Sequence, residues 1–309
     1  MSTGSALEPL SPAERASCVA AARMHYLEDR SKTDIAEALG VSRFKVARLI
    51  ELARQHGIVR IQIDDDSCVD LELSERLRSE LGLQRAVVAT GDVALAAADL
   101  LPQLLSDGDV LGLPWSRTIA RMVEQVHDLP VVDVVQLTGA HQSPGIDTSA
   151  VAIARAVARV SGGRSTLFFA PFVAEDAEAA ATFARQPEVR AARAQLRRVT
   201  HALVAAGAWQ EGSSTVHDAI SPTARRQAAR QGVVGEVAGV LLDAQGRAVA
   251  SATYDRLVTL SLRDLERIPH VVLLAAGAEK AQVVRAAVAG GFPEALVCDR
   301  ALAQALLTT

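Results

Sequence analysis

From Leu71 onward the chain alternates short, continuous apolar runs with longer amphipathic stretches, and this alternation limits the fold more than any other feature. The runs are 86–90 (AVVAT), 109–113 (DVLGL), 133–137 (DVVQL), 166–170 (TLFFA), 202–206 (ALVAA), 236–242 (EVAGVLL), 271–276 (VVLLAA) and 295–299 (ALVCD). Short runs of this kind predict strands buried on both faces. The stretches 93–105, 149–160 and 279–290 predict helices between them. Strands alternating with helices predict an α/β domain whose parallel sheet is covered on both sides. A turn signal at 243–246 (DAQG) adds an antiparallel extension. Only 3% of residues are aromatic against 50% apolar, so the core must be built from Ala, Val, Leu and Ile.

With 309 residues there is room for one larger domain and a small module, or for two domains. No apolar stretch approaches the roughly 18 residues that a membrane-spanning helix needs. The opening MSTGSALEPLSPA has neither the basic segment nor the apolar run of a secretory signal. Cys18, Cys68 and Cys298 lie far apart with no CxxC, and the seven histidines form no HExxH. A disulfide framework and a cysteine-based metal site are therefore excluded. The expectation is a soluble cytoplasmic protein with no metal, no cofactor and no membrane partner.

Charge singles out the N-terminus. Residues 1–63 have nine Lys+Arg and seven Asp+Glu, which leaves residues 64–309 with a net −6. Residues 30–60 alone carry seven basic and three acidic side chains. A basic segment on an acidic body points to an anionic partner for that segment, a solvated helical face being the alternative. Spacing decides between them. Residues 14–28 read as a helix. Ser31 opens a second, KTDIAEAL, with Asp34 as its capping partner and Gly40 as its stop. Only Val41 intervenes before Ser42, the N-cap of a third helix, SRFKVARLIELARQHG. Two helices joined by Gly-Val-Ser make a helix-turn-helix. In the third helix Val46, Leu49, Ile50 and Ala53 share one stripe. Phe44, Ala47, Arg48 and Glu51 fall opposite, with Lys45 on the flank and Arg43 near the start. The candidate DNA-contacting residues are Ser42, Arg43, Phe44, Lys45 and Arg48, since the N-terminal half of a recognition helix enters the major groove. After Gly57, IVRIQI (58–63) alternates and predicts a strand, a wing or hinge. The domains are expected at 1–62 and 63–309, the acidic run Asp64–Asp66 marking the break.

In open α/β sheets ligands bind beyond the carboxyl ends of the strands. Four loops lie there: Pro114-Trp115-Ser116-Arg117-Thr118, Thr138-Gly139-Ala140, Gly207-Ala208-Trp209 and Gly277-Ala278-Glu279-Lys280. Two of them open helices, and helix starts with hydroxyl and cationic side chains nearby suit an anion. Lys280 is the only lysine outside the N-terminal module, and the chain holds just two others, Lys32 and Lys45. It is read as a phosphate-binding charge or an amine nucleophile, against an ordinary surface lysine in a helix's first turn. No GxGxxG, GxxxxGK[ST] or GxSxG occurs. Asp147, Glu236, Asp243 and Asp255 offer a general base to an isomerase, but spacing distinguishes no pair, and no catalytic residue is assigned.

At this point the chain resembles the SorC family of bacterial sugar-responsive transcriptional regulators, over about 20–307. The likeness rests first on DIAEALGVSRFKVARLIELARQHGIVRIQI. It continues with the ordered set DGDVLGLPWSRT, VVQLTGA, FFAPF, GVVGEVAGVLLDAQG, IPHVVLLAAGAEKA and a last helix ending in ALL. The resemblance implies a winged-type helix-turn-helix followed by a Rossmann-like, mostly parallel α/β effector domain, akin in fold to sugar-phosphate isomerases and CoA-transferases. It also implies binding of sugars or sugar phosphates without turnover, and a homo-oligomer, dimer or tetramer. Topology and the family motifs together give the expected effector pocket: Trp115, Arg117, Thr118, Gln136, Thr138, Gly207, Glu236, Gly277 and Lys280. Two loops depart from the family pattern. Gly112-Leu113-Pro114-Trp115-Ser116-Arg117-Thr118 stands where Gly-x-Gly-Trp-Gly-x-Thr is usual, and Gly207-Ala208-Trp209 where Gly-Ile-Gly is usual. Pro114 lacks an N–H, Ser116 narrows the phosphate space, and Trp209 makes a bulkier wall. An unphosphorylated sugar or polyol thus stands beside a sugar phosphate as candidate effector. The function expected is operator-DNA binding controlled by such a ligand, for a carbohydrate or polyol operon. The alternatives are a sugar-phosphate isomerase with an appended DNA-binding module and a ligand-free assembly domain.

Overall fold

The computed structural model of the protein describes residues 10–59, 69–141 and 149–308. It divides into two compact units, Met1–Asp66 and Ser67–Thr309.

The first unit is built of three helices, α1 (Pro12–Tyr26), α2 (Lys32–Leu39) and α3 (Arg43–Gln55). Helix α1 starts two residues earlier than expected because Ser11 and Glu14 form a capping box with Pro12 at the first helical position. Ser31 caps α2, its hydroxyl accepting from the Asp34 N–H at 3.3 Å and donating to Asp34 Oδ2 at 2.8 Å. Gly40 takes φ 64°, which turns the chain out of α2 and lets the Val41 N–H reach the Ala36 carbonyl at 3.0 Å. Ser42 then caps α3 by accepting from the Lys45 N–H at 3.2 Å. Val46, Leu49, Ile50 and Ala53 are buried against Ile35, Ala36, Cys18, Ala21 and Ala22. Ile58 and Val59 follow a turn and pack on this core. The rest of the predicted strand 58–63 lies outside the described residues, as do Asp64–Asp66, Cys68 and Asp147.

The second unit runs α4 (Leu71–Leu81), β1 (Arg85–Ala89), α5 (Val93–Leu104), β2 (Val110–Leu113), α6 (Arg117–Gln125), β3 (Asp133–Gln136), α7 (Ala150–Ser161) and β4 (Ser165–Thr166). There follow α8 (Ala177–Arg185), α9 (Pro187–Gln195), β5 (His201–Ala208), α10 (Thr215–Ala219), α11 (Pro222–Arg230), β6 (Gly235–Val237) and β7 (Val240–Leu242). The chain closes with α12 (Leu262–Leu265), β8 (His270–Ala275), α13 (Ala281–Ala289), β9 (Ala295–Asp299) and α14 (Arg300–Leu307). Short 3₁₀ turns occupy Leu196–Arg198, Tyr254–Arg256 and Ala278–Lys280.

Strands β1-β9-β8-β5-β2-β3-β4 form the main sheet in that order, all neighbours parallel. One face packs on α4, α13 and α14 through Leu77, Val283, Val284, Leu302 and Leu306. The other packs on α5, α6 and α7 through Leu101, Ile119, Met122 and Ile153. Both faces are dry, as the continuous apolar strands require. Strand order reverses between β2 and β5: the chain winds outward from β2 to β4, then restarts at β5 on the other side.

Two predicted strands differ. The run 236–242 is not one strand but an antiparallel hairpin, β6 and β7, paired onto β5. Its turn is Ala238-Gly239 with φ 50° and 84°, the left-handed pair that two-residue hairpins demand. An unbroken apolar run hides such a turn, since nothing polar marks it. The DAQG segment is a turn held by Asp243, but beyond it only the Leu242–Ala248 bridge forms. Of 166–170 only Thr166 is in a strand, because the Phe168 N–H is taken by the Gln136 side chain at 3.3 Å instead of a neighbouring backbone.

Candidate functional site

Two surfaces collect the singled-out residues, one on each unit. On α3 the groove-side residues Ser42, Arg43, Phe44, Lys45 and Arg48 are all exposed, with Phe44 at 89%. The Ser42 hydroxyl is committed to the cap. Arg43, Lys45 and Arg48 form no ion pair among the described residues, whereas Arg54 at the far end of the helix pairs with Glu51 at 3.0 Å. An exposed phenylalanine with Arg43 and Lys45 on either side of it in the chain is costly in water. It is satisfied by a partner that is anionic and offers apolar edges.

On the second unit a cleft opens at the carboxyl ends of β2 and β5, where the strand order reverses and an open sheet leaves a crevice. It is narrow, with a cavity volume of about 40 Å³. From β2 come Pro114, Trp115 and Ser116 and the first turn of α6, Arg117 and Thr118. The Trp115 N–H donates to Thr138 Oγ1 at 3.0 Å, and Ser116 Oγ accepts the Ile119 N–H at 3.0 Å as the cap of α6. Ser116 is thus turned to its own helix. Among side chains here, Arg117 donates to the Gly212 carbonyl in the loop after β5, joining the two walls.

From β5 comes Gly207, opposite Glu236 of β6. A Cβ on Gly207 would stand 2.8 Å from Glu236 Oε1 and 2.9 Å from the Ser214 Cα, so only glycine lets these three meet. Glu236 is 6% exposed. Its Oε2 accepts the Gly239 N–H at 2.8 Å and its Oε1 the Ser214 hydroxyl at 3.3 Å. Burial pushes its carboxyl up to about 7, against those hydrogen bonds and the Lys280 charge, which pull the other way. Lys280 lines the cleft half-buried, and burial lowers its ammonium below the usual lysine range. The Arg117 charge lowers it further, opposed by Glu279, Glu236 and Asp299. Phe172 and Trp115 add apolar surface, and the His141 ring sits edge-on between them, at 4.8 Å from Trp115 and 6.2 Å from Phe172. Burial holds that imidazole below its ordinary range.

Trp115, Arg117, Thr118, Gly207, Glu236 and Lys280 are therefore brought together, but three of the nine expected pocket residues do not line the cleft. Gln136 is buried beneath it, donating to the Thr138 carbonyl at 2.8 Å and accepting from Phe168. Thr138 anchors the Trp115 loop. Gly277 donates to Asp299 Oδ2 at 3.0 Å and ties β8 to β9. Lys280 ends a 3₁₀ turn just before α13 and is not in the helix's first turn. Trp209 is not the expected wall: its indole N–H donates to the Arg225 carbonyl at 3.1 Å and its ring packs under α11. Ser213, Thr215, Phe172 and Gly239 also line the cleft and were missed. Phe172 stands in the FFAPF motif; the others carry no signal beyond small size.

A family model described as "Putative sugar-binding domain" matches residues 66–308. The chain is 25% identical to the Deoxyribonucleoside regulator of Bacillus subtilis, covering 94% of this chain and 96% of that one. It is 28% identical to the Transcriptional regulator LsrR of an Enterobacter species, covering 92% and 90%. In structure it resembles the full-length Sorbitol Operon Regulator SorC from Klebsiella pneumoniae, with a TM-score of 0.71 and 23% identity over 96% of this chain and 100% of that one.

Proposed function

Since the chain belongs to the SorC/DeoR-type family of sugar-binding transcriptional regulators, we propose that its first unit binds operator DNA through α3 and that its second unit binds the controlling ligand in the β2/β5 cleft. Arg43, Phe44, Lys45 and Arg48 face the major groove, the cations reaching phosphates and guanine edges and Phe44 a thymine methyl. The effector is a small sugar, polyol or sugar phosphate. Glu236, carrying a proton near neutral pH, donates to or accepts from a ligand hydroxyl. Ser213, Thr215 and Thr118 supply further hydroxyl contacts, and the Trp115 and Phe172 rings take the ligand's apolar face. Lys280, Arg117 and the start of α6 take an anionic group if the ligand has one, which would compete with Gly212 for Arg117. The observation that carries this reading is the junction of a buried carboxyl, a half-buried lysine and a helix start at the point where strand order reverses.

Binding must favour one of two DNA-affinity states of a homo-oligomer, dimer or tetramer, or it regulates nothing. A thermal-shift series of sugars, polyols and their phosphates tests the cleft, since a ligand of the folded state raises the midpoint. A hit must lose its effect in Lys280→Ala or Glu236→Gln and must change operator affinity in a gel-shift titration. If no member of the series shifts the midpoint, the ligand class is wrong. One observation favours a second reading, an isomerase: a carboxyl near 7 is what a general base requires. Turnover of a hit, followed by NMR, would establish it.

A further inference from the structure

We propose that the second unit carries another anion site, a groove between α8, α9 and α12 that binds a small oligophosphate. Arg185, Arg190, Arg193, Arg197 and Arg267 line this groove of about 1230 Å³, with Asp264 as the one carboxylate. Arg190 and Arg193 lie on α9, and Arg197 follows in the 3₁₀ turn, so the i, i+3, i+7 spacing puts all three on one stripe. The adjoining face of α9 buries Val189 and Ala192, and Arg190 and Arg193 stay exposed beside it. Arg185 ends α8, and Arg267 follows α12 across the groove.

Elsewhere on this unit arginines are of both kinds: Arg76, Arg85, Arg155, Arg159, Arg230 and Arg263 are exposed with no ion pair or guanidinium hydrogen bond among the described residues. Arg78, Arg121, Arg164, Arg247 and Arg300 each bond a carboxylate, and Arg285 bonds three carbonyls of the last helix. Among the described residues Arg190, Arg193, Arg197 and Arg267 have neither ion pair nor hydrogen bond to their guanidinium groups, and Arg185 reaches only the Thr182 hydroxyl at 3.0 Å. Asp264 makes no ion pair with them; its Oδ2 takes the N–H and O–H of Ser261 at 3.0 and 2.6 Å. Like charges gathered in a concavity repel one another and focus a positive potential, here on a body whose residues 64–309 carry net −6.

Guanidinium forks match phosphate oxygens two at a time. No aromatic side chain lines the groove, so no base is stacked there. The floor is Ala184, Ala194 and Leu196. The recognised chemistry is therefore a run of phosphates and not a nucleobase. Several negative charges on a short ligand answer several cations within one groove.

Calorimetric titration of the full-length chain with inorganic tripolyphosphate at low salt tests the site. The expected result is a site weakened about tenfold or more in Arg193→Gln/Arg267→Gln and still present in Lys280→Ala, where any separate binding in the β2/β5 cleft is removed. Arg190→Gln/Arg197→Gln serves if the first variant melts early. Absence of heat, or equal binding by both groove variants and the wild type, overturns the proposal. So does loss of binding in Lys280→Ala alone, which places the phosphates in the β2/β5 cleft. Two other occupants would also overturn it. Groove variants that weaken DNA binding uniformly with tripolyphosphate binding unaltered assign the groove to nucleic acid. Variants that lower the oligomeric state, in a chain that binds no tripolyphosphate, assign it to a subunit contact.

Discussion

Protonation and folding are linked at a buried carboxyl, and Glu236 makes the linkage measurable. Its folded-state value near 7 lies above the ordinary glutamate range, so the folded chain holds a proton that the unfolded chain releases. The stability this contributes is complete below about pH 4.5 and is lost as pH rises through about 7. Chemical denaturation across pH 5–8 should show the unfolding free energy of Glu236→Gln falling less than that of the wild type, by about 2–3 kcal/mol over the window. Parallel curves would mean that Glu236 is already solvated. A Cβ at Gly207 must push Glu236 and the Ser214 backbone apart. Gly207→Ala should cost about 1–3 kcal/mol in thermal or chemical unfolding and abolish effector binding. Glu236 was legible as a candidate through the family motif, but its proton was not. That depends on the Gly207, Ser214 and Gly239 contacts, which no linear pattern contains.

Helix ends explain why the elements of the first unit were easy to read. Ser31, Gly40 and Ser42 act through bonds to residues at most four or five positions away, so their spacing in the chain is their spacing in space. Ser42→Ala should remove the acceptor for the Lys45 N–H and cost about 1 kcal/mol of stability. Replacing Arg43, Phe44, Lys45 and Arg48 together by alanine should leave the melting midpoint nearly unchanged, because all four are exposed, and abolish operator retention in a gel shift. Singly, Arg48→Ala should weaken operator binding by about 1–3 kcal/mol if it reads a base. Retained operator affinity in the quadruple variant would place the DNA contact elsewhere. The hairpin at 235–242 shows the opposite case. Ala238 and Gly239 both take positive φ, but the turn sits inside an apolar run, and its alanine is held there by tertiary bonds such as Thr259 Oγ1 to the Ala238 carbonyl at 2.6 Å.

Taken whole, the chain has two units with separate cores, each closed by its own buried residues. A fragment of residues 67–309 should therefore fold alone. It should bind the effector as tightly as the full chain does and fail to bind operator. We propose that the second unit holds the subunit contacts, so light scattering at micromolar concentration should find it a dimer or larger; a monomer would move those contacts to the first unit. A helix-turn-helix presented by a two-fold oligomer reads half-sites one or more helical turns apart, so the operator should be an imperfect palindrome.

The amino-acid order by itself determined what is local or periodic. It gave the capped helices of the first unit, the buried strands and their covering helices, and the outward face of α3, because caps and faces repeat at fixed short intervals. It also placed most of the cleft, since loops after strands of a parallel sheet share one edge. Only the tertiary structure decided which of those loops line the cleft and which support it. Thr138, Gln136 and Gly277 end at the same edge as Trp115 and Lys280, yet each spends its polar groups on a neighbouring strand or loop. Trp209 follows β5 but turns under α11. The physical reason is the same throughout. A hydrogen bond between residues distant in the chain, 16 positions for Trp209 and Arg225 and 32 for Gln136 and Phe168, satisfies a buried polar group only once the fold has brought the partners together, and the sequence does not specify which partner will claim it.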